Sequence, residues 1–90
     1  MSKYMVTYDL GKPGQKYEEL IKSIKAYKNV KVTESLWFIV ANDTAADLRT
    51  RFGAFLDSDD RLMVAGLTGG AAWRNCIASN DDLKTFLNNN

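Results

Sequence analysis

The fold is decided by the stretch KYMVTYD at residues 3–9, which runs directly into LGKPG at residues 10–14. Side chains of the first stretch alternate between two faces with a period of two residues, which is typical of a β-strand. The glycines and the proline of the second stretch predict a turn. The strand therefore delivers the carboxylate of Asp9 to its C-terminal end, which is where open α/β sheets tend to place ligands.

Beyond this strand, the sequence predicts further helices and strands. Apolar residues at helical spacing predict helices over residues 15–28 and 45–56, and a last helix that opens at Ser79. Thr44 is predicted to cap the second of these helices. Strands are predicted at residues 30–32, 36–41 and 61–67, with a short extra edge strand at residues 71–74. The short link at residues 33–35 favours a kinked or bulged strand pair. The order predicts one α+β domain over residues 1–90, a ferredoxin-like βαββαβ sandwich with a C-terminal helix.

The strand at residues 36–41, with the sequence LWFIVA, is apolar on both faces. A sheet with helices on one side only should alternate apolar and polar residues. Two helices can cover one face, so something else must cover the second, because a large exposed apolar patch usually marks an interaction site. The terminal helix can cover part of that face, and a second copy of the chain in a two-fold contact can cover the rest. The sequence thus predicts a homodimer.

The composition excludes several classes of function. The chain has 90 residues, no histidine and one cysteine, and its net charge is +1. Without histidine there is no Ser-His-Asp chemistry and almost no zinc site. The lone Cys76 cannot form an internal disulfide, which fits the cytoplasm. The sequence shows neither a signal peptide nor an apolar run long enough to cross a membrane. The charge argues against a strongly basic nucleic-acid binder but leaves room for a local basic patch.

Several short motifs give the chain a resemblance to a known family. The residues that carry it are Tyr8-Asp9, residues 32–38, Leu48-Arg49, residues 57–62, residues 67–69 and Trp73. With these motifs the chain resembles the second CRISPR-associated protein family. It is more similar to the non-CRISPR relatives of that family, the SinR-like proteins, and more distantly to the VapD-like proteins.

The resemblance implies a ferredoxin-like homodimer that acts outside a CRISPR system. In several members of the family, the Asp at the end of the first strand lies near the dimer axis and supports metal-dependent phosphodiester cleavage, and other members are structural subunits. On this chain the catalytic and metal-binding role would fall on Asp9, with Mg²⁺ as the cofactor and RNA, DNA or a small nucleotide as the partner. The chain departs from the family in one respect, since no dense run of basic residues follows Asp9.

The residues themselves leave two interpretations of Asp9 open. Two copies of Asp9 that face each other across a dimer axis could hold one Mg²⁺, which prefers carboxylate and water oxygens and activates water. Alternatively, Asp9 accepts hydrogen bonds from loop amides around Gly11, as Asp often does in turns.

A second class of function rests on two glycine-containing loops. Lys12 precedes a predicted helix N-terminus, where phosphate can bind, although a plain turn is the favoured explanation of this segment. Thr68, Gly69 and Gly70 form a loop beside Trp73 and Arg74, and this group could hold a small phosphorylated ligand, with core packing of Trp73 as the alternative. The alternative function is therefore a non-catalytic nucleotide-binding or protein-interaction module, such as a sequestering or inhibitory protein in a phage–host defence system.

The remaining conspicuous groups are predicted to be structural. Trp37 is expected in the core or an interface. A solvated surface explains the lysines of the first helix and the strand after it, Lys22, Lys25, Lys28 and Lys31. A polar helix terminus explains Asp57, Asp59 and Asp60, with Asp60 expected to pair with Arg61 or Arg51.

Overall fold

The computed structural model describes residues 1–11 and 17–88. Its strands are β1 (Ser2–Asp9), β2 (Lys28–Thr33), β3 (Leu36–Ala41) and β4 (Arg61–Gly66), and its helices are α1 (Glu18–Lys25), α2 (Ala45–Gly53) and α3 (Asn80–Asn88). The strands form one antiparallel sheet in the order β2-β3-β1-β4. This α+β arrangement confirms the predicted ferredoxin-like order. None of the described helices is both long and apolar enough to cross a bilayer.

Local sequence signals fix several element boundaries. The hydroxyl of Thr44 accepts a hydrogen bond from the Asp47 amide at 3.1 Å and so caps α2. The hydroxyl of Ser79 accepts one from the Asp82 amide at 3.0 Å at the start of α3. The pairing of β2 with β3 shifts register between Lys31 and Thr33, which confirms the predicted bulge.

The first face of the sheet carries the main core, beneath α1 and α2. Val6, Ile39, Leu48 and Phe52 are completely buried there. Trp37 is also buried, which confirms the prediction that it lies in the core, and its indole N–H donates to the Tyr8 hydroxyl at 3.1 Å. The polar atoms of these aromatic residues therefore find partners inside the apolar cluster, as burial requires.

The second face is covered in part by α3. Phe38 alternates with Trp37 along β3 and so points to the second face, where its ring centroid lies 6.2 Å from that of Phe86 on α3. The ammonium group of Lys3 donates to the carbonyl of Leu87 at 2.6 Å, which ties the end of α3 to β1. Helix α3 packs mainly against β2. The prediction that the terminal helix covers part of this face is confirmed.

The other half of the second face remains accessible. Cross-strand pairing places Thr7 beside Met63 and Met5 beside Ala65. The Met63 side chain is 58% exposed, and the other three residues are half-buried. We call Met5, Thr7, Met63 and Ala65 the open half-face. It is an apolar strip along β1 and the edge strand β4.

Three predicted elements differ from the structure, and the first of these is α2, which ends at Gly53 rather than near residue 56. The extra strand at residues 71–74 is wrong, because the sheet in the described part of the chain has four strands. Positive φ angles at Gly69 (81°) and Asn75 (55°) turn the backbone on either side of that segment, which prevents it from running along an edge. The first helix ends at Lys25 rather than near residue 28, because β2 begins at Lys28. Its predicted start at residue 15 lies outside the described residues.

Candidate functional site

The structure places Asp9 at one end of the open half-face. Asp9 is the last residue of β1 and lies opposite Arg61, the first residue of β4. One guanidinium nitrogen of Arg61 lies 2.9 Å from Oδ2 of Asp9. A shallow cavity of about 230 Å³ is lined by this pair together with Thr7 and Met63. A carboxylate and a guanidinium therefore stand side by side at the edge of an apolar strip.

The Asp9–Arg61 pair contributes little to the stability of the fold. The two side chains are 69% and 81% exposed, and exposed ion pairs typically contribute about 0–1 kcal/mol. A guanidinium presents a planar set of donors that suits phosphate, and a carboxylate suits a divalent cation. The arrangement can thus contact both a phosphodiester and its counterion.

Asp60, rather than Asp9, accepts hydrogen bonds from the ends of the loop between β1 and α1. The Gly11 amide donates to Oδ1 of Asp60 at 2.7 Å, and the Tyr17 hydroxyl donates to the same oxygen at 2.9 Å. The Asp57 amide donates to Oδ2 at 2.8 Å. The Gly11 amide therefore binds Asp60 rather than Asp9, and the amides of residues 12–16 lie outside the described residues.

The pairing predicted for Asp60 is also wrong. Arg51 binds Asp43 at 2.6 Å, and Arg61 binds Asp9. Asp60 and Arg61 are neighbours at the start of β4, where successive side chains point to opposite faces of the sheet. Asp60 therefore turns toward the β1–α1 loop, whereas Arg61 turns toward the open half-face.

One chain by itself offers Mg²⁺ a poor site at Asp9. Among residues 1–11 and 17–88, no three acidic or cysteine side chains lie close enough together to hold a metal ion. Asp9 supplies one carboxylate, and Oδ2 of that carboxylate already contacts Arg61. A magnesium ion retains several waters and needs only one or two carboxylates. The donor chemistry of Asp9 therefore fits Mg²⁺ when a second copy of the chain adds a second carboxylate.

A second cavity lies at the opposite end of β1. We call it the glycine-loop cleft, and its volume is about 370 Å³. Its lining includes Lys3, Thr68, Gly69, Gly70, Trp73 and Lys84. Beside it, the Leu67 amide donates to the carbonyl of Lys3 at 2.9 Å, which ties the loop to β1. The Trp73 indole N–H donates to Oδ1 of Asn80 at 3.0 Å, which ties the other end of the loop to α3.

The cleft brings together part of the predicted ligand-binding set. Thr68, Gly69 and Trp73 share it, whereas Arg74 is exposed and does not line it. Lys12 lies outside the described residues. No local pattern pointed to Lys3 and Lys84 as site residues, because only the packing of α3 beside the start of β1 brings these two residues together.

Comparison with known proteins informs the fold alone. No protein-family model matches the chain. The chain is similar to a hypothetical protein, TT1823 from Thermus thermophilus, whose crystal structure is known. The two share 22% sequence identity with a TM-score of 0.66, over 86% of this chain and 95% of that one. The ferredoxin-like architecture is therefore shared with a solved structure that carries no stated function.

Proposed function

We propose that this protein is a homodimer that cleaves phosphodiester bonds, with the Asp9–Arg61 pairs of the two copies beside a common two-fold axis. The observation that carries the proposal is the position of this pair at the end of the open half-face. The resemblance to the second CRISPR-associated protein family supports the reaction class and the role of Asp9.

The open half-face supports a second copy as its occupant. Its centre is apolar, with Met63 58% exposed, and one acidic and one basic residue stand together at its end. In a two-fold contact a patch meets its own copy, so a patch that carries both charges is complementary to itself. Asp9 of each copy can then approach Arg61 of the other. Small domains often supplement a thin core through such contacts.

The chemistry divides between two side chains. Arg61 binds the phosphodiester and offsets the negative charge that grows on its oxygens during cleavage. Asp9 contributes the carboxylate that holds the metal. Mg²⁺, when bound, polarises a phosphoryl oxygen and activates water. The Thr7 hydroxyl borders the same cavity, on the side where the open half-face meets the Asp9–Arg61 pair.

The test is a cleavage assay with matched variants. Wild-type protein and Asp9→Asn are incubated with RNA, DNA and cyclic nucleotides, with Mg²⁺ and with EDTA. We expect Asp9→Asn to lower the rate at least about a hundredfold, the usual cost of removing a group that stabilises the transition state. EDTA should abolish cleavage. Glu19→Gln, which removes an exposed carboxylate on α1, serves as the control and should leave the rate unchanged.

Two results would contradict the proposal. One is cleavage that survives Asp9→Asn at equal protein concentration. The other is the absence of Mg²⁺-dependent cleavage of all the substrates by a wild-type protein that is shown to be a dimer. The second result would favour a structural role for the dimer, as in the non-catalytic members of the family that it resembles.

A further inference from the structure

We propose that the glycine-loop cleft binds a 5′-mononucleotide, with the phosphate at Lys3 and Lys84 and the base against Trp73. This inference goes beyond the chemistry proposed for Asp9. Lys3 and Asp9 lie near opposite ends of β1, and six residue steps along the strand separate them by about 20 Å at the usual rise per residue. The two sites can therefore be tested separately.

The charge of the cleft favours an anion. The described residues that line the cleft include no acidic residue, but they include two lysines, Lys3 and Lys84. The bond from Lys3 to the Leu87 carbonyl uses one of three N–H donors and holds the ammonium group at the wall of the cleft. Lys84 is exposed and forms no ion pair with any residue in the ranges 1–11 and 17–88. Phosphate is an anion that lysine binds well as a point charge.

The glycine loop leaves its backbone accessible on the same side. Gly69 has a φ of 81°, which disfavours any residue with a side chain. Gly70 has an ordinary φ, and a Cβ built on it would meet no other atom within 4 Å. Packing therefore does not require glycine at position 70. The missing side chain there keeps open space beside the loop, which allows a ligand to approach the backbone closely.

Trp73 indicates that the ligand is more than a bare anion. Its ring lines the cleft, and the bond from its indole nitrogen to Asn80 fixes its position. Bases stack on aromatic side chains largely irrespective of base identity. Leu67 and Leu87 add apolar surface to the wall of the cleft, and an inorganic phosphate would leave this surface exposed to water. A volume of about 370 Å³ lies near the lower end of ligand pockets, which favours one nucleotide over a longer strand.

Isothermal titration calorimetry of the whole chain tests this site. The probes are AMP, GMP, CMP and UMP, with the parent nucleosides and inorganic phosphate for comparison. We expect at least one mononucleotide to bind saturably, and its nucleoside and phosphate alone to bind at least about tenfold more weakly.

Variants assign the two contacts separately. Lys84→Gln should weaken mononucleotide binding about tenfold and leave the binding of the nucleoside unchanged. Trp73→Ala should weaken both, and Trp73→Phe, which retains a ring for stacking, should recover most of the loss. Gly70→Ala should leave the melting temperature unchanged and still weaken binding. Lys22→Gln makes the same charge change on α1, beneath the other face of the sheet, and is expected to bind as the wild type does.

The inference is overturned if no mononucleotide binds at millimolar concentration to folded wild-type protein. It is also overturned if Lys84→Gln and Trp73→Ala both bind like the wild type. Binding of oligonucleotides without binding of mononucleotides would identify a surface for single-stranded nucleic acid instead. Asp9→Asn should bind mononucleotides normally, so failure at the Asp9 centre and failure at the cleft remain distinguishable.

Discussion

The two faces of the sheet differ in how completely they are covered. On the first face, α1 and α2 enclose a core in which Ile39, Leu48 and Phe52 have no exposed surface. On the second face, α3 lies mainly over β2, and the strip along β1 and β4 leaves Met63 58% exposed. The first face therefore stabilises the fold. The second face carries both candidate sites, one at each end of β1.

The largest effect on stability should come from the first face. Phe52→Ala removes a fully buried ring and should lower the free energy of unfolding by about 3–5 kcal/mol. In the separated chain, Met63→Ala on the open half-face should cost less than about 1 kcal/mol, because its side chain is then largely in water. Loss of the dimer contact adds to this cost and varies with protein concentration, so urea denaturation is measured on both variants at concentrations low enough to give single chains. Similar losses for the two variants would contradict the difference between the faces.

A smaller loss is expected where the β1–α1 loop is fastened to the fold. Asp60→Ala leaves the Gly11 and Asp57 amides and the Tyr17 hydroxyl without the carboxylate that they share. We expect a loss of about 1–3 kcal/mol, typical of removing one partner of a hydrogen-bonded group. The control is Asp59→Ala, which removes the neighbouring carboxylate. An equal loss in both variants would show that Asp60 has no special bracing role.

The cap residues of α2 and α3 test whether the two faces of the sheet unfold separately. Thr44→Ala and Ser79→Ala each remove one side-chain bond to a helix amide and should cost about 1 kcal/mol. Hydrogen exchange should show a global loss for Thr44→Ala, because α2 belongs to the main core. For Ser79→Ala the loss should be confined to α3. A global loss for both would mean that the two faces unfold as one unit.

The smallest effect on stability is expected at the exposed ion pair. Asp9→Asn should change the free energy of unfolding by less than about 1 kcal/mol, because the pair is solvated. Thermal melts at low and high salt measure this change. A loss of several kcal/mol would show that Asp9 is a structural residue, and that any loss of activity in the variant follows from unfolding.

Much of the fold was accessible from the sequence. The caps at Thr44 and Ser79, the bulge before β3 and the two-sided apolar character of β3 are local patterns, and the structure confirms each of them. The extra strand predicted at residues 71–74 was wrong. The backbone turns at positive φ angles on either side of this segment, and Trp73 binds Asn80 on α3. The conformation of the segment therefore depends on where α3 packs, which no local pattern shows.

The sites were less accessible than the fold. The strand end that carries Asp9 was predicted, but its partner Arg61 lies 52 positions away in the chain. The pairing depends on the register of β1 and β4, which no local pattern fixes. Lys3 and Lys84 enter the glycine-loop cleft for a similar reason, because the packing of α3 sets their distance. The sequence thus indicated some of the residues in the sites, whereas the tertiary structure was needed to show which residues come together.

The most direct test of the dimer at the open half-face is sedimentation of the wild type beside Met63→Asp. The account predicts a stable dimer for the wild type. It predicts a folded single chain for Met63→Asp, because a charge at the centre of the contact would be buried without a partner. Circular dichroism confirms that the variant is folded. A wild type that sediments as a single chain at assay concentrations, or a Met63→Asp variant that remains a dimer, would contradict the account.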